Sequence, residues 1–226
     1  MTRGRVLLTD HAWPGTEVEA GLCDAAGYDL VEAPPGATED VLAGLAAGVD
    51  GILTCWAQVT AKVIAASPAL RVVSRMGIGL DNIDLAAAAA RQVAVTRVPD
   101  YCVEEVSDHV VGLLHAWARC ILTADRDVRA GVWDPGRYAP RRVSSLVTGV
   151  WGLGPTGRRT AAALDVFPAE PEVPAALLSR PDVILTPYIA FSSAHSVLEL
   201  RRRSTADLLR VLAELPPLNP VALPGG

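Results

Sequence analysis

The sequence predicts an α/β protein built on an open, doubly wound parallel sheet. Over the first hundred residues, short runs rich in Val, Ile and Leu alternate with segments of helical length, which is typical of a parallel sheet covered on both faces. The chain has 226 residues, of which 50% are hydrophobic, with Gly and Pro found throughout. This length and composition predict a folded protein with a sizeable buried core.

The individual elements follow from this alternation. Asp84 is expected to cap the alanine-rich helix that follows it. An amphipathic segment from Tyr101 to Gly131 and a last helix from about Ser192 to Glu214 have apolar residues at three- and four-residue steps. Arg201–Arg203, on the last helix, are expected to face water. The predicted strands are Arg5–Thr9, Tyr28–Glu32, Asp50–Thr54, Leu70–Ser74 and Gln92–Thr96.

Composition argues against several classes of protein. The formal net charge of −5 gives no electrostatic reason to expect binding to nucleic acid or to an anionic membrane. The cysteines form no Cys-x-x-Cys pair, so neither a metal site nor a disulfide framework is expected, and a reducing cytoplasm suits the chain. No apolar run reaches the ~18 residues that a membrane helix needs. The chain enters a strand almost at once, so no signal peptide is expected.

A glycine motif follows an apolar, strand-like run. Gly152, Gly154 and Gly157 form Gly-x-Gly-x-x-Gly, the pattern that lets backbone approach a pyrophosphate at a helix N-terminus. Only seven residues, 158–164, separate this motif from Asp165. A parallel crossover needs at least about 10–12 residues, so the usual continuation of a dinucleotide-binding domain cannot follow. We therefore expect no cofactor to be required, although NAD is possible.

Several stretches resemble the D-2-hydroxyacid dehydrogenase family, which includes phosphoglycerate dehydrogenase. They cover nearly the whole chain in the family's order: Val59–Ile64, Leu70–Asp84, Val98–His109, the glycine motif, Leu164–Pro171 and Asp182–Ala190. The resemblance implies a flavodoxin-like substrate domain, 1–98 plus 214–226. It also implies a truncated, Rossmann-like remnant of the nucleotide-binding domain, 99–213, with a long interface helix. The missing part corresponds to on the order of a hundred residues.

The resemblance also implies roles for particular residues. The loop Met76, Gly77, Ile78 and Gly79 matches the loop that binds the substrate carboxylate on backbone N–H groups. Glu170 matches the catalytic glutamate, and Asp165 matches the aspartate near the nicotinamide amide. Tyr188 stands where the family has its catalytic histidine, and the catalytic arginine has no counterpart. His195 is an alternative proton donor, although a structural role is favoured for it, as for His109.

Three functions are compatible with these residues. The favoured one is a repurposed, non-redox enzyme in which Glu170 and Tyr188 perform acid/base chemistry, such as elimination, isomerisation or cyclisation, on a small acidic substrate. The alternatives are a residual NAD(H)-dependent dehydrogenase and a non-catalytic binding or scaffold protein. Because a truncated sheet leaves an open edge that must be covered, a homodimer through residues 101–131 is expected.

Overall fold

The computed structural model describes residues 3–146, 163–167, 170–179 and 183–224. The chain divides into two compact units. The first unit comprises the chain up to Tyr101 together with the chain from Ala194 onward, and the second comprises Cys102–Ser193.

The first unit contains a five-stranded parallel sheet, as predicted. Its strands are β1 (Gly4–Leu8), β2 (Tyr28–Glu32), β3 (Gly51–Thr54), β4 (Val72–Arg75) and β5 (Ala94–Thr96), in the order β2-β1-β3-β4-β5. Val6 of β1 pairs with both Leu30 and Gly51, and Gly51 pairs in turn with Val72. This strand order is that of a flavodoxin-like, doubly wound sheet, and it confirms the predicted fold class.

Three helices of the first unit begin at a residue whose side chain caps them. The helices of the described residues are α1 (Glu17–Ala25), α2 (Glu39–Ala46), α3 (Ala61–Ala65), α4 (Leu85–Ala90), α5 (Val103–Ala118), α6 (Ile121–Arg129), α7 (Ala175–Leu178) and α8 (Ala194–Leu212). The Asp84 carboxylate accepts the N–H of Ala87 at 2.8 Å, which confirms the predicted cap of α4. The hydroxyls of Thr38 and Thr60 cap α2 and α3 in the same way.

The core of the first unit lies on both faces of the sheet, as the strand alternation requires. Leu7 of β1 packs on the face covered by α2, α3 and α4, in one cluster of buried residues. Val6 and Leu8 point to the other face, where they cluster with Leu200, Leu208 and Leu212 of α8. Burying one such leucine stabilises the fold by about 1.5–3 kcal/mol, so α8 is an integral part of this core.

The position of α8 corrects two expectations. The sequence-based division grouped α8 with residues 99–213, whereas the structure places it in the first unit. Arg201 was expected to face water, but its side chain is only 11% exposed and forms a bidentate pair with Glu19, with both N–O distances at 2.8 Å. The Arg201 guanidinium also donates to the carbonyl of Gly15 at 2.7 Å and lies over the ring of Trp13.

The second unit contains two helices where one amphipathic segment was predicted. Cys120, in the left-handed region with φ of 56°, separates α5 from α6. Two short parallel strands, β6 (Ala163–Leu164) and β7 (Ile184–Leu185), form the sheet of its described part. The glycine motif (Gly152, Gly154 and Gly157) lies outside the described residues. Among the helices described, none is long and apolar enough to cross a membrane.

Candidate carboxylate-binding site

The carboxyl edge of the first sheet is where this fold binds ligands. In the arrangement β2-β1-β3-β4-β5, the order of the strands reverses between β1 and β3, and open α/β sheets form a crevice at such a point. The residues that follow β1, β3 and β4 at this edge are therefore the candidates for contact with a small molecule.

Asp10, which follows β1, holds the loop after β3 in place. Its carboxylate accepts the backbone N–H groups of Cys55, Trp56 and Ala57, at 2.9, 2.7 and 3.2 Å. The Thr9 hydroxyl donates a fourth hydrogen bond to it at 2.8 Å. Asp10 therefore has a structural role in the crevice. Sequence reasoning missed this role, because the three backbone partners are more than forty residues away.

Cys55 is buried at the same edge and is not a nucleophile. Burial raises the pKa of its thiol, and the charge of Asp10 raises that pKa further, while the Arg75 cation acts in the opposite direction. Burial likewise raises the pKa of the Cys23 thiol, to about 12. Both side chains therefore remain neutral thiols at physiological pH.

The loop Met76–Gly79 follows β4 and presents free backbone donors. The Met76 N–H donates to the carbonyl of Thr54 at 2.8 Å. Gly77 has φ of 153°, a conformation that a side chain strains. Within the described residues, no acceptor meets the N–H groups of Gly77, Ile78 or Gly79. Successive free N–H groups in a glycine-rich turn are suited to bind an anion.

Arg75 adds a positive charge directly beside this loop. The residue is 8% exposed, and its guanidinium occupies the space where a Cβ on Gly77 would lie. Its Nη1 donates to the carbonyl of Met76, but its buried Nε has no partner in the described part of the chain. No described carboxylate forms an ion pair with Arg75. Sequence reasoning did not single out Arg75. Its position at the end of a predicted strand, just before a glycine-rich turn, was the feature that could have identified it.

In the second unit, Asp165 organises the turn that contains Tyr188. The Asp165 carboxylate accepts the Thr186 hydroxyl at 2.6 Å and the N–H groups of Ile189 and Ala190 at 2.9 Å each. The Tyr188 N–H donates to the Asp165 carbonyl at 3.0 Å. His109 Nε2 lies 3.2 Å from Thr186 Oγ1, so His109 belongs to this structural cluster.

The remaining predicted catalytic residues are accessible to solvent. Tyr188 is 40% exposed, has φ of 55°, and packs its ring near Phe191. Glu170 is exposed, and its carboxylate accepts the N–H of Phe167 at 2.8 Å. The Tyr188 phenol can donate a hydrogen bond and the Glu170 carboxylate can accept a proton, which is the chemistry that their residue types allow.

The described residues do not make up a dinucleotide site. Of the positions that the family resemblance links to the nucleotide, Asp165 is the one that the structure describes. Its two oxygens already receive three hydrogen bonds, and a carboxylate offers about four acceptor positions. The Asp165 carboxylate can therefore accept one further hydrogen bond, for example from an amide. No group of three or more potential metal ligands occurs among the described residues either.

Comparison with known proteins identifies the family. The family model described as the catalytic domain of D-isomer specific 2-hydroxyacid dehydrogenases matches residues 6–222. The chain is 39% identical over 111 residues to D-3-phosphoglycerate dehydrogenase of Mycobacterium leprae, covering 49% of this chain and 21% of that protein. It is 34% identical over 158 residues to hydroxyphenylpyruvate reductase of Plectranthus scutellarioides, covering 70% and 48%. The chain therefore spans less than half the length of either relative.

Solved structures agree on the fold. The TT0316 protein of Thermus thermophilus superposes with a TM-score of 0.80 at 18% identity, covering 96% of this chain and 100% of that one. An NADPH-dependent glyoxylate/hydroxypyruvate reductase of Sinorhizobium meliloti, solved with NADP and malonate, gives a TM-score of 0.72 at 22% identity, covering 98% and 97%. The chain belongs to the D-isomer specific 2-hydroxyacid dehydrogenase family, as the sequence resemblance implied.

Proposed function

We propose that this chain binds a small 2-hydroxy or 2-oxo acid on its first unit and acts on it by acid/base chemistry, without hydride transfer. The observation that supports binding is the loop Met76–Gly79. Three backbone N–H groups there meet no acceptor among the described residues, and the nearby Arg75 guanidinium, whose Nη1 donates to the Met76 carbonyl, has a buried Nε without a partner. A buried cation without a counter-charge is costly for a fold, and a bound carboxylate would offset that cost.

The chemistry of the residues favours proton transfer over reduction. Hydride transfer to a 2-oxo acid needs a proton donor suited to neutral pH and a cation that polarises the carbonyl. Tyr188 stands in the position of the family's histidine, and a tyrosine has a reference pKa of about 10. The family's catalytic arginine has no counterpart in this sequence. Glu170 and Tyr188 belong to the second unit, and their residue types are those of a base and of a hydrogen-bond donor to an oxyanion.

A residual NAD(H)-dependent dehydrogenase is the second candidate. The names of the relatives support it, since they are dehydrogenases and reductases. Gly152, Gly154 and Gly157 are the sequence feature in its favour. A third possibility, a binding or scaffold protein without catalysis, would retain the loop Met76–Gly79 as a ligand site.

Calorimetry with the purified chain separates these candidates. We expect pyruvate or glyoxylate to bind without any nucleotide, and NADH and NADPH to show no binding tighter than ~100 µM, which corresponds to about 5.5 kcal/mol. Nucleotide binding tighter than that, together with oxidation of NADH by a 2-oxo acid, would replace the proposal with the dehydrogenase. Failure of every small acid to bind would remove the proposed ligand class altogether.

We also propose that the chain forms a homodimer through residues 101–131. The apolar side chains of this segment remain exposed, including Val103 at 59%, Val110 at 52% and Val111 at 55%. An extended apolar surface of this kind marks an interaction site in a soluble protein, and a second copy would cover it.

The dimer is testable by light scattering at micromolar concentration. Wild type is expected to have the mass of two chains, and Val110→Asp to have the mass of one, because a buried, unpaired carboxylate opposes association. Val41→Asp is the matched control, since Val41 is 41% exposed in the first unit and should leave the mass unchanged. A monomeric wild type would contradict the proposal.

A further inference from the structure

His11 lies at the carboxyl edge of the first sheet and has no role in the site as described so far. It directly follows Asp10, which is fixed by hydrogen bonds to the loop after β3. Strand β1 adjoins β3, and β3 adjoins β4, whose end leads into the loop Met76–Gly79. His11 therefore lies at the same edge of the sheet as the proposed carboxylate site, and both are within the first unit.

The surroundings of His11 fix the tautomer of its ring. His11 Nδ1 lies 2.7 Å from the carbonyl oxygen of Trp13. A carbonyl oxygen can only accept a hydrogen bond, so Nδ1 must carry the proton that it donates. In the neutral ring Nε2 then has a free lone pair, and no group of the described residues bonds to it. The Trp13 ring, 5.8 Å from the His11 ring, further limits rotation of the imidazole.

The spacing of the strands sets the expected separation between His11 and the loop Met76–Gly79. Neighbouring strands are about 4.8 Å apart, so two steps, from β1 to β3 and from β3 to β4, span roughly 10 Å. The extended side chain of a histidine and a three-carbon acid together bridge a gap of this size. The half-buried ring is partly accessible from solvent.

We propose that His11 Nε2 is the general base for a 2-oxo acid whose carboxylate is bound by the loop Met76–Gly79. The proposal rests on the proposed function for its ligand, and it adds a catalytic residue on the first unit itself. With pyruvate, a C3–H bond breaks and its proton moves to Nε2. The electron pair forms the C2–C3 double bond of the enolate, and the carbonyl oxygen gains the negative charge, which the Arg75 cation stabilises. The proton on Nε2 exchanges with solvent, and transfer of the exchanged proton from Nε2 to C3 restores both pyruvate and the neutral ring.

Proton exchange measures this step directly, because in D₂O each turnover replaces a methyl hydrogen of pyruvate by deuterium. The loss of the methyl signal is followed by proton NMR, with a protein-free sample as blank, and pyruvate binding is measured separately by calorimetry. His11→Asn is the informative variant. Its amide can still donate to the Trp13 carbonyl, but it lacks a basic atom. His195→Asn is the matched control, since His195 is exposed on α8.

We expect His11→Asn to slow exchange by about 100-fold, which is typical of a lost general base, with pyruvate affinity within twofold of wild type. His195→Asn should leave both quantities unchanged. Exchange that persists in His11→Asn, or that is lost in His195→Asn instead, would overturn the assignment. Binding of pyruvate without any exchange in wild type would also overturn it while leaving the binding proposal intact. An absence of pyruvate binding, in contrast, would refute the proposed function itself.

Discussion

Replacing Glu19 by alanine is expected to lower the free energy of unfolding by about 3–5 kcal/mol, the usual cost of removing one partner of a buried ion pair. Glu19 is fully buried, and both of its oxygens accept hydrogen bonds from Arg201. Without Glu19, the guanidinium keeps the Gly15 carbonyl and the face of Trp13 but has no buried counter-charge. The effect should be large, because Arg201 cannot lose its proton to escape the apolar surroundings.

Urea unfolding followed by circular dichroism provides the measurement. Glu17→Ala is the matched control, since Glu17 lies 3.8 Å from the same guanidinium but its side chain is 84% exposed. An exposed pair is worth less than about 1 kcal/mol, so this variant should unfold near the wild-type midpoint. Equal loss of stability in the two variants would show that the Glu19–Arg201 pair is not the buried interaction described here.

Arg75→Met is expected to weaken the binding of a small 2-oxo acid by about 10- to 150-fold, with little loss of stability. The affinity change corresponds to the roughly 1.5–3 kcal/mol of a hydrogen bond to a charged group. Stability should change by less than about 1 kcal/mol, because the buried Nε has no partner among the described residues and the replacement removes a desolvated charge. Affinity and stability thus respond differently to the same substitution.

Calorimetry and thermal unfolding of the same samples separate the two effects. Arg97→Met is the control, because Arg97 donates to the Ile78 carbonyl at the same loop from a more exposed position. Removing it should weaken binding by less than about threefold, since its charge is screened by solvent. If Arg75→Met binds as tightly as wild type, or if it unfolds at a much lower temperature, Arg75 is a structural residue and the loop lacks the proposed cation.

The sequence was sufficient to predict the first sheet and the cap of α4. The alternation of apolar runs located each strand to within two residues of its observed start, as Leu70 was predicted and Val72 is observed. Asp84 was recognised as a cap because the interaction is local, three residues from donor to acceptor. Periodicity also located α8, although it could not show which surface α8 covers. That depends on contacts with strands at the other end of the chain.

The candidate site was predictable only in part, for the same physical reason. The loop Met76–Gly79 was proposed because the stretch Leu70–Asp84 resembles the family, and its role as a ligand site remains a prediction. Arg75 was not proposed, since the signal is the absence of a partner among the described residues, which only the packed structure shows. Arg201 was misjudged because an arginine run on a helix is usually exposed to solvent. Its partner, the Glu19 carboxylate, lies 182 residues away in the sequence. The proton on His11 Nδ1 likewise depends on a turn that composition does not reveal.

The core of the first unit is built from residues that are far apart in the sequence, and this has a consequence for synthesis on the ribosome. Leu200, Leu208 and Leu212 pack against Val6 and Leu8, and Val221 donates its N–H to the Val95 carbonyl. Strands β1–β5 emerge first, but the apolar face that α8 covers stays open while Cys102–Ser193 is translated. A nascent chain with such exposed surface is prone to aggregate. The first unit therefore completes its folding only after the last helix has been released, and chaperone contact before that point should centre on this open face.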